Sequence, residues 1–300
     1  MTAPGSAREA IDRLRLYFAP ATTRQGLLAR RALGEPAPDD ALLADRLVEE
    51  MRAQTRADGS VAGAVVPTIW RAHELLDLGC EPDQTGAAQV MDWVLELQTK
   101  PGAFSDGCTA PRHAHRACEH FISGFFSPAP PEHRLAPVML PNGKVFRAES
   151  AARFAISCLA LRAALRGRLE QRPAVEQHLA SLIQLQEQWE EWDAYFAADA
   201  IVAGIHALAF ASPTHRTVLP RLAASVAANQ ADDGTWPTAD LFHTLEALNA
   251  VGTAEAHAAV RRAVPALLAR QRIDGSFGPT AQQERALIAL RSLLWAGTEM

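Results

Sequence analysis

Gln230-Ala-Asp-Asp-Gly234-Thr-Trp236 and Gln271-Arg-Ile-Asp-Gly275-Ser-Phe277 share one pattern: a glutamine, three residues, a glycine, one residue and an aromatic ring. Gln98-Thr-Lys-Pro-Gly102-Ala-Phe104 is a third copy. Reduced copies fill the gaps. Asp58-Gly59-Ser60-Val61 and Asn142-Gly143-Lys144-Val145 keep the glycine, and Gln188-Trp-Glu-Glu-Trp192 keeps the glutamine with Trp192 in the glycine's place. The markers 59, 102, 143, 192, 234 and 275 recur with a period near 43 residues, so six repeats cover almost the whole chain. A fixed period of this length marks an array of small units that bury their apolar faces against each other.

Each repeat has the same anatomy. An amphipathic helix precedes the glycine, over 41–55, 86–98, 173–187, 215–229 and 255–270. In the last of these, Ala259, Val260, Ala263, Val264, Leu267 and Leu268 recur at helical spacing. The glycine suits the left-handed backbone that follows a helix end. A second, more apolar helix then runs over 65–79, 110–125, 147–165, 196–211, 238–251 and 280–296. Pro67-Thr68, Pro237-Thr238 and Pro279-Thr280 are expected to open three of these, since proline fits a first turn. Before Gly143 the first helix gives way to the Pro-rich 127–141, a candidate lid, and 127–146 as a whole is the segment that would close over a cavity. Two further helices, about 8–18 and 24–33, precede the break at 35–38. Helices apolar nearly all round are buried on both sides. Two concentric layers are therefore expected, with an open solenoid of helix pairs as the rival arrangement.

The 300-residue chain is 48% hydrophobic and 21% charged, as soluble globular proteins are. Its 59 alanines favour helix. Only Lys100 and Lys144 among the 29 basic residues are lysine, a bias that suggests a GC-rich bacterial genome. A net charge of −5 argues against a nucleic-acid partner. No apolar run reaches the ~18 residues of a membrane span; contact with a membrane surface stays open. Met1 to Ala10 has no secretory pattern, so a cytoplasmic location with reduced Cys80, Cys108, Cys118 and Cys158 is expected.

The repeat resembles the QW motif of squalene–hopene and oxidosqualene cyclases, and the related repeats of protein prenyltransferase β-subunits, over about residues 40–297. The resemblance implies an all-α fold, an (α/α)6 toroid of six helical hairpins over 39–300, with 1–38 as an N-terminal helical extension. It implies inner helices around a cavity that takes an isoprenoid chain. Gln98, Gln230 and Gln271, with Phe104, Trp236 and Phe277, would then be structural. A single toroid, without the second barrel of full-length triterpene cyclases, implies a smaller substrate or a divergent reaction.

Asp240-Leu-Phe-His243-Thr244 is expected just inside the fifth inner helix. Class II terpene cyclases carry D-x-D-D-T at this place, and the middle aspartate protonates an alkene or epoxide. Here Asp240 and Thr244 match, but Phe242 stands at the proton donor and His243 at the last aspartate, so the usual acid is missing. No DDxxD occurs on a predicted inner helix. The same segment resembles the D-x-x-H-T of prenyltransferase β-subunits, whose histidine binds zinc. Asp106-Gly107-Cys108 has the form of their D-x-C. A thiolate, an imidazole and a carboxylate suit zinc with an open position. The two elements lie three repeats apart, however, whereas that family places them in adjacent units.

The second polar cluster is Cys108-Thr-Ala-Pro-Arg112-His113-Ala-His115-Arg116-Ala-Cys118-Glu119-His120. Three readings stand: a hydrogen-bonded polar patch, an anion site of Arg112, His113 and Arg116, or a zinc or other divalent-metal site with Cys108, His113 and His115 as ligands. Helix N-termini favour anions such as a diphosphate, which makes Arg112, His113 and Arg285 candidate head-group contacts. Trp70, which aligns with His243, and Phe242 are candidate rings against the substrate, able to stabilise a carbocation through their faces. Asp199 precedes the apolar run Ala200 to Phe210 and is the best stand-in acid, because a carboxyl in apolar surroundings has a raised pKa and can donate a proton. The lead expectation is a terpenoid cyclase-like or prenyl-transferring enzyme that acts on a long apolar substrate, with His243, Asp240 and Asp199 catalytic. The alternatives are a metal-dependent enzyme of another reaction class and a non-catalytic isoprenoid or lipid carrier.

Overall fold

The computed structural model describes residues 6–83, 86–97, 126, 133–187, 189, 192–193 and 196–297. Over these the chain is all-α. The helices are α1 (Ala7–Phe18), α2 (Arg24–Leu33), α3 (Asp40–Ala53), α4 (Val65–Asp77), α5 (Ala87–Leu95) and α6 (Glu149–Arg166), then α7 (Pro173–Gln186), α8 (Ala198–Leu208), α9 (Leu219–Ala228), α10 (Leu241–Val251), α11 (Ala254–Arg270) and α12 (Gln282–Gly297). The only strands among the described residues are β1 (Val138–Met139) and β2 (Val145–Phe146), an antiparallel pair. No helix is long and apolar enough to cross a membrane. The second helix of the repeat at Gly102, expected over 110–125, lies outside the described residues. The chain divides into two compact units: Met1–Glu50 with Pro141–Lys144 and Val218–Met300, and Met51–Leu140 with Val145–Thr217.

In the first unit α10 packs on α11 and α12, and α12 packs on α1 and α2. The repeat's turns are built alike. Ala231 N–H donates to the Thr235 carbonyl (2.8 Å) and Arg272 N–H to that of Ser276 (3.0 Å). In each turn an aspartate closes back on the hydroxyl residue two places on: Asp233 Oδ1 accepts from Thr235 N and Oγ1, and Asp274 Oδ1 from Ser276 N and Oγ. These hydrogen bonds hold both carboxyls below the usual carboxylate range. The glutamine then ties the turn to a neighbouring helix. Gln230 Nε2 donates to the Ala259 carbonyl (3.0 Å), and its Oε1 accepts from Arg262 Nε (2.8 Å). Gln271 does the same with the Ala10 carbonyl (3.0 Å) and Arg13 Nε (2.8 Å). Ala259 with Arg262 and Ala10 with Arg13 have one spacing, so α1 stands to the sixth turn as α11 stands to the fifth. Arg24 of α2 also pairs with the buried Glu284 of α12.

In the second unit α6 packs on α4 and α8 and is buried from Ala152 to Leu165. Asp58 repeats the aspartate closure on Ser60. The turn after Trp189 differs from the expected alignment. Trp192 stands at the glycine position, but the left-handed residue is Asp193 (φ 55). Asp tolerates that backbone where a large side chain does not, and its Oδ1 accepts from Ala198 N (3.1 Å) at the start of α8. Of the candidate lid, 127–132 lie outside the described residues, and 133–136 are tied down. Glu149 accepts from the N–H groups of Leu135 and Ala136, and Arg153 Nη2 donates to the His133 carbonyl. Burial would raise the Glu149 pKa, but these N–H groups and Arg153 outweigh it and hold it down.

His178 on α7 is fully buried, edge-on to Phe126 at 4.8 Å. Burial disfavours its charged form and takes its pKa down to about 3. An unfolded histidine titrates near 6.5. The neutral ring's contribution is therefore whole above pH 6.5 and is lost as the pH falls below it, by about 1.4 kcal/mol per unit, until about pH 3. The depressed carboxyls act only below about pH 4. Melting temperature is thus expected to fall between pH 6.5 and 5, and a His178→Leu variant to show a flatter profile in that window. Equal slopes for the two proteins would refute this.

Candidate functional site

The first turn of α10 carries the motif singled out above. Asp240 is not inside the helix but is its N-cap: Oδ1 accepts from the N–H groups of Phe242 and His243, both at 3.0 Å. The helix starts at Leu241 and not at Thr238, because the aspartate supplies a better first acceptor than the Pro237-Thr238 pair. Thr244 Oγ1 donates back to the Asp240 carbonyl (2.9 Å), as a buried hydroxyl on a helix does. Pro279 likewise lies before its helix, which starts at Gln282, while Pro67 sits in the first turn of α4 as expected.

His243 is 2% exposed. Its Nδ1 lies 3.1 Å from Asn142 Nδ2, which also lies 2.8 Å from Glu246 Oε2. Asn142 Oδ1 accepts from Lys144 N (3.0 Å). A carboxylate only accepts, so the Glu246 contact fixes which amide atom is nitrogen. The amide therefore donates to His243 Nδ1, and the ring proton sits on Nε2. Asn142 is a residue that sequence reasoning missed. It appeared only as a flank of a reduced repeat marker, and its partners lie about a hundred positions away.

Arg285, in the first turn of α12, completes the site. Its Nε donates to the Asn142 carbonyl (3.0 Å) and its Nη2 to that of Gly143 (3.3 Å). The guanidinium lies over the Phe242 ring at 5.1 Å, and Phe242 meets Phe277 edge-on at 5.5 Å. Asp240, Phe242 and Arg285 line a cavity of about 630 Å³. The structure thus brings together Asp240, Phe242, His243 and Arg285, and adds Asn142 and Glu246.

The remaining candidates are elsewhere. Asp199 is buried in the first turn of α8, in the second unit. Trp70 is half-buried on α4 in that same unit, 5.4 Å from the ring of His73. His73 Nε2 donates to the Leu159 carbonyl (3.1 Å) and Nδ1 accepts from Arg166 Nη1 (2.9 Å). Cys108, Arg112, His113 and His115 lie outside the described residues. Among the described residues no three His, Cys, Asp or Glu side chains converge as metal ligands.

No protein-family model matches the sequence, and no curated protein matches it. Solved structures do. The type II terpene cyclase MstE from Scytonema, as an R337A variant in complex with its substrate geranylgeranyl dihydroxybenzoate, is 14% identical over 98% of both chains, with a TM-score of 0.58. The same enzyme without ligand is 14% identical over 98% of this chain and 99% of that one, again at 0.58. A protein from Actinoplanes is 15% identical over 98% of this chain and all of that one, also at 0.58. At such identity the likeness shows the fold: the chain has a terpenoid cyclase-like, all-α fold.

Proposed function

We propose that the protein is a terpenoid cyclase-like enzyme that rearranges an isoprenoid-bearing small molecule. The observation that carries the reading is the shared fold over 98% of the chain with an enzyme whose substrate bears a geranylgeranyl group. In the proposed reaction an acid gives a proton to the alkene or epoxide end of the chain. The cation passes along the chain as rings close, and a base removes a proton, so the product is an isomer of the substrate. Asp199, a buried carboxyl on an apolar helix, is the proposed acid. His243 is not that base, because its Nδ1 already accepts from Asn142 and its Nε2 carries the proton.

Geranylgeranyl- and farnesyl-substituted dihydroxybenzoates, together with the free prenyl diphosphates, are the substrates to test, with products resolved by liquid chromatography and mass spectrometry. A product of unchanged mass and new retention is expected, and Asp199→Asn should lower its rate by about 10²-fold or more. Release of diphosphate would point instead to prenyl transfer. Dependence on a metal lost to a chelator would favour the reading built on Cys108, His113 and His115. Tight binding with no turnover of any of these compounds would favour the carrier.

A further inference from the structure

We propose that the cleft between the fifth and sixth turns binds the anionic head of an apolar small molecule, a carboxylate or a phosphate, with Arg285 Nη1 as its leading donor. The proposal rests on the reading above only in taking that molecule to be the substrate.

Three cations, Arg270, Arg272 and Arg285, line the cleft against one carboxylate, Asp240. That carboxylate is engaged as the N-cap of α10. Asp233 and Asp274 attract Arg270 and Arg272, but their carboxyls are closed onto Thr235 and Ser276 and do not line the cleft. Phe242, Trp236 and Phe277 supply apolar wall beside the charges.

Arg285 is held differently from three other buried or half-buried arginines of the chain. Arg24, Arg30 and Arg153 each contact a carboxylate directly. Arg285 is only 14% exposed, yet two neutral carbonyls hold its Nε and Nη2, and the nearest carboxylate oxygen is 3.9 Å away. Its Nη1 hydrogen-bonds to no described residue. A cation desolvated without a close counter-charge is unfavourable, and an anion brought to it recovers that cost. The fork is already fixed by the carbonyls and by the Phe242 face, so little freedom is lost on binding. Gly278 keeps the place open: a Cβ there would stand 2.9 Å from Nη1, and its φ of +65° disfavours any other residue.

Titration calorimetry at low ionic strength, with benzoate and inorganic pyrophosphate as probes, tests this without turnover. Saturable one-site binding of at least one probe is expected. Arg285→Gln should weaken it roughly tenfold or more, the loss of a charge-assisted hydrogen bond. Arg272→Glu, at an exposed position that does not endanger folding, should weaken it severalfold. Benzoate alone binding identifies a carboxylate head, and pyrophosphate alone a phosphate head. No saturable binding of either probe overturns the proposal, as does unchanged affinity in the folded variants. Binding that persists in a protein without cyclase activity removes the proposed function and leaves this site standing.

Discussion

A chain lacking residues 1–38 is expected not to fold. The segment looks like an appendage in the sequence, yet α1 does for the sixth turn what α11 does for the fifth. Its removal takes away the Ala10 carbonyl and Arg13, both partners of Gln271. It removes Leu14, Phe18 and Leu27, each fully buried, at about 2 kcal/mol or more of apolar burial apiece. It also leaves Glu284, 8% exposed, without Arg24. A buried charge stripped of its partner costs about 3–5 kcal/mol. Together these losses are comparable to the whole stability of a typical domain, about 5–15 kcal/mol. The truncated chain should be insoluble, or show no cooperative melt by far-ultraviolet circular dichroism. An Arg15→Ala variant, which removes only the exposed pairs with Asp12 and Glu35, should melt at nearly the same temperature as the parent. A truncated chain that melts like the full one would show that α1 and α2 are dispensable.

The helices were legible because their cause is local. Apolar residues at helical spacing place α1, α2, α3, α7, α10 and α11 within a few residues of their observed limits. Start signals were legible too, but two of them compete at the fifth inner helix. Asp240 before Leu-Phe-His is an N-cap pattern, whereas Pro237-Thr238 points to a start three residues earlier. The later start puts Asp240, a candidate catalytic carboxylate, at the cap of the helix and not within it. The site was less legible because its contacts are long-range. His243 and Arg285 stood out as polar residues at the starts of apolar helices. The loop that joins them through Asn142 and Gly143 is a degenerate repeat copy, and no feature of a single sequence pairs residue 142 with 243, 246 and 285. Asp193 shows a finer limit. The backbone demand for a left-handed residue survives in the fourth repeat, displaced by one position, where an aspartate can meet it and also receive the Ala198 N–H.

Gly234→Ala is expected to destabilise the protein by about 3–5 kcal/mol, far beyond the usual cost of placing alanine in a left-handed backbone. Gly252 isolates that ordinary cost. Its φ is +67° and nothing lies within 4 Å of an added Cβ, so Gly252→Ala should cost only about 1–2 kcal/mol. Gly234 has a similar φ of +81°, but its Cβ would stand 2.2 Å from the Arg262 carbonyl oxygen and 3.0 Å from the Ala263 Cα. Both are backbone atoms of α11, so no side-chain rotation can relieve the overlap. The helix must back away from the turn, which stretches the Gln230 bonds to Ala259 and Arg262 and loosens the packing around the buried Trp236. Urea unfolding of the two variants against the parent measures the difference. If the two glycines cost the same, the close approach of turn to helix carries no energy, and the glycine of the repeat is kept for its backbone angle alone.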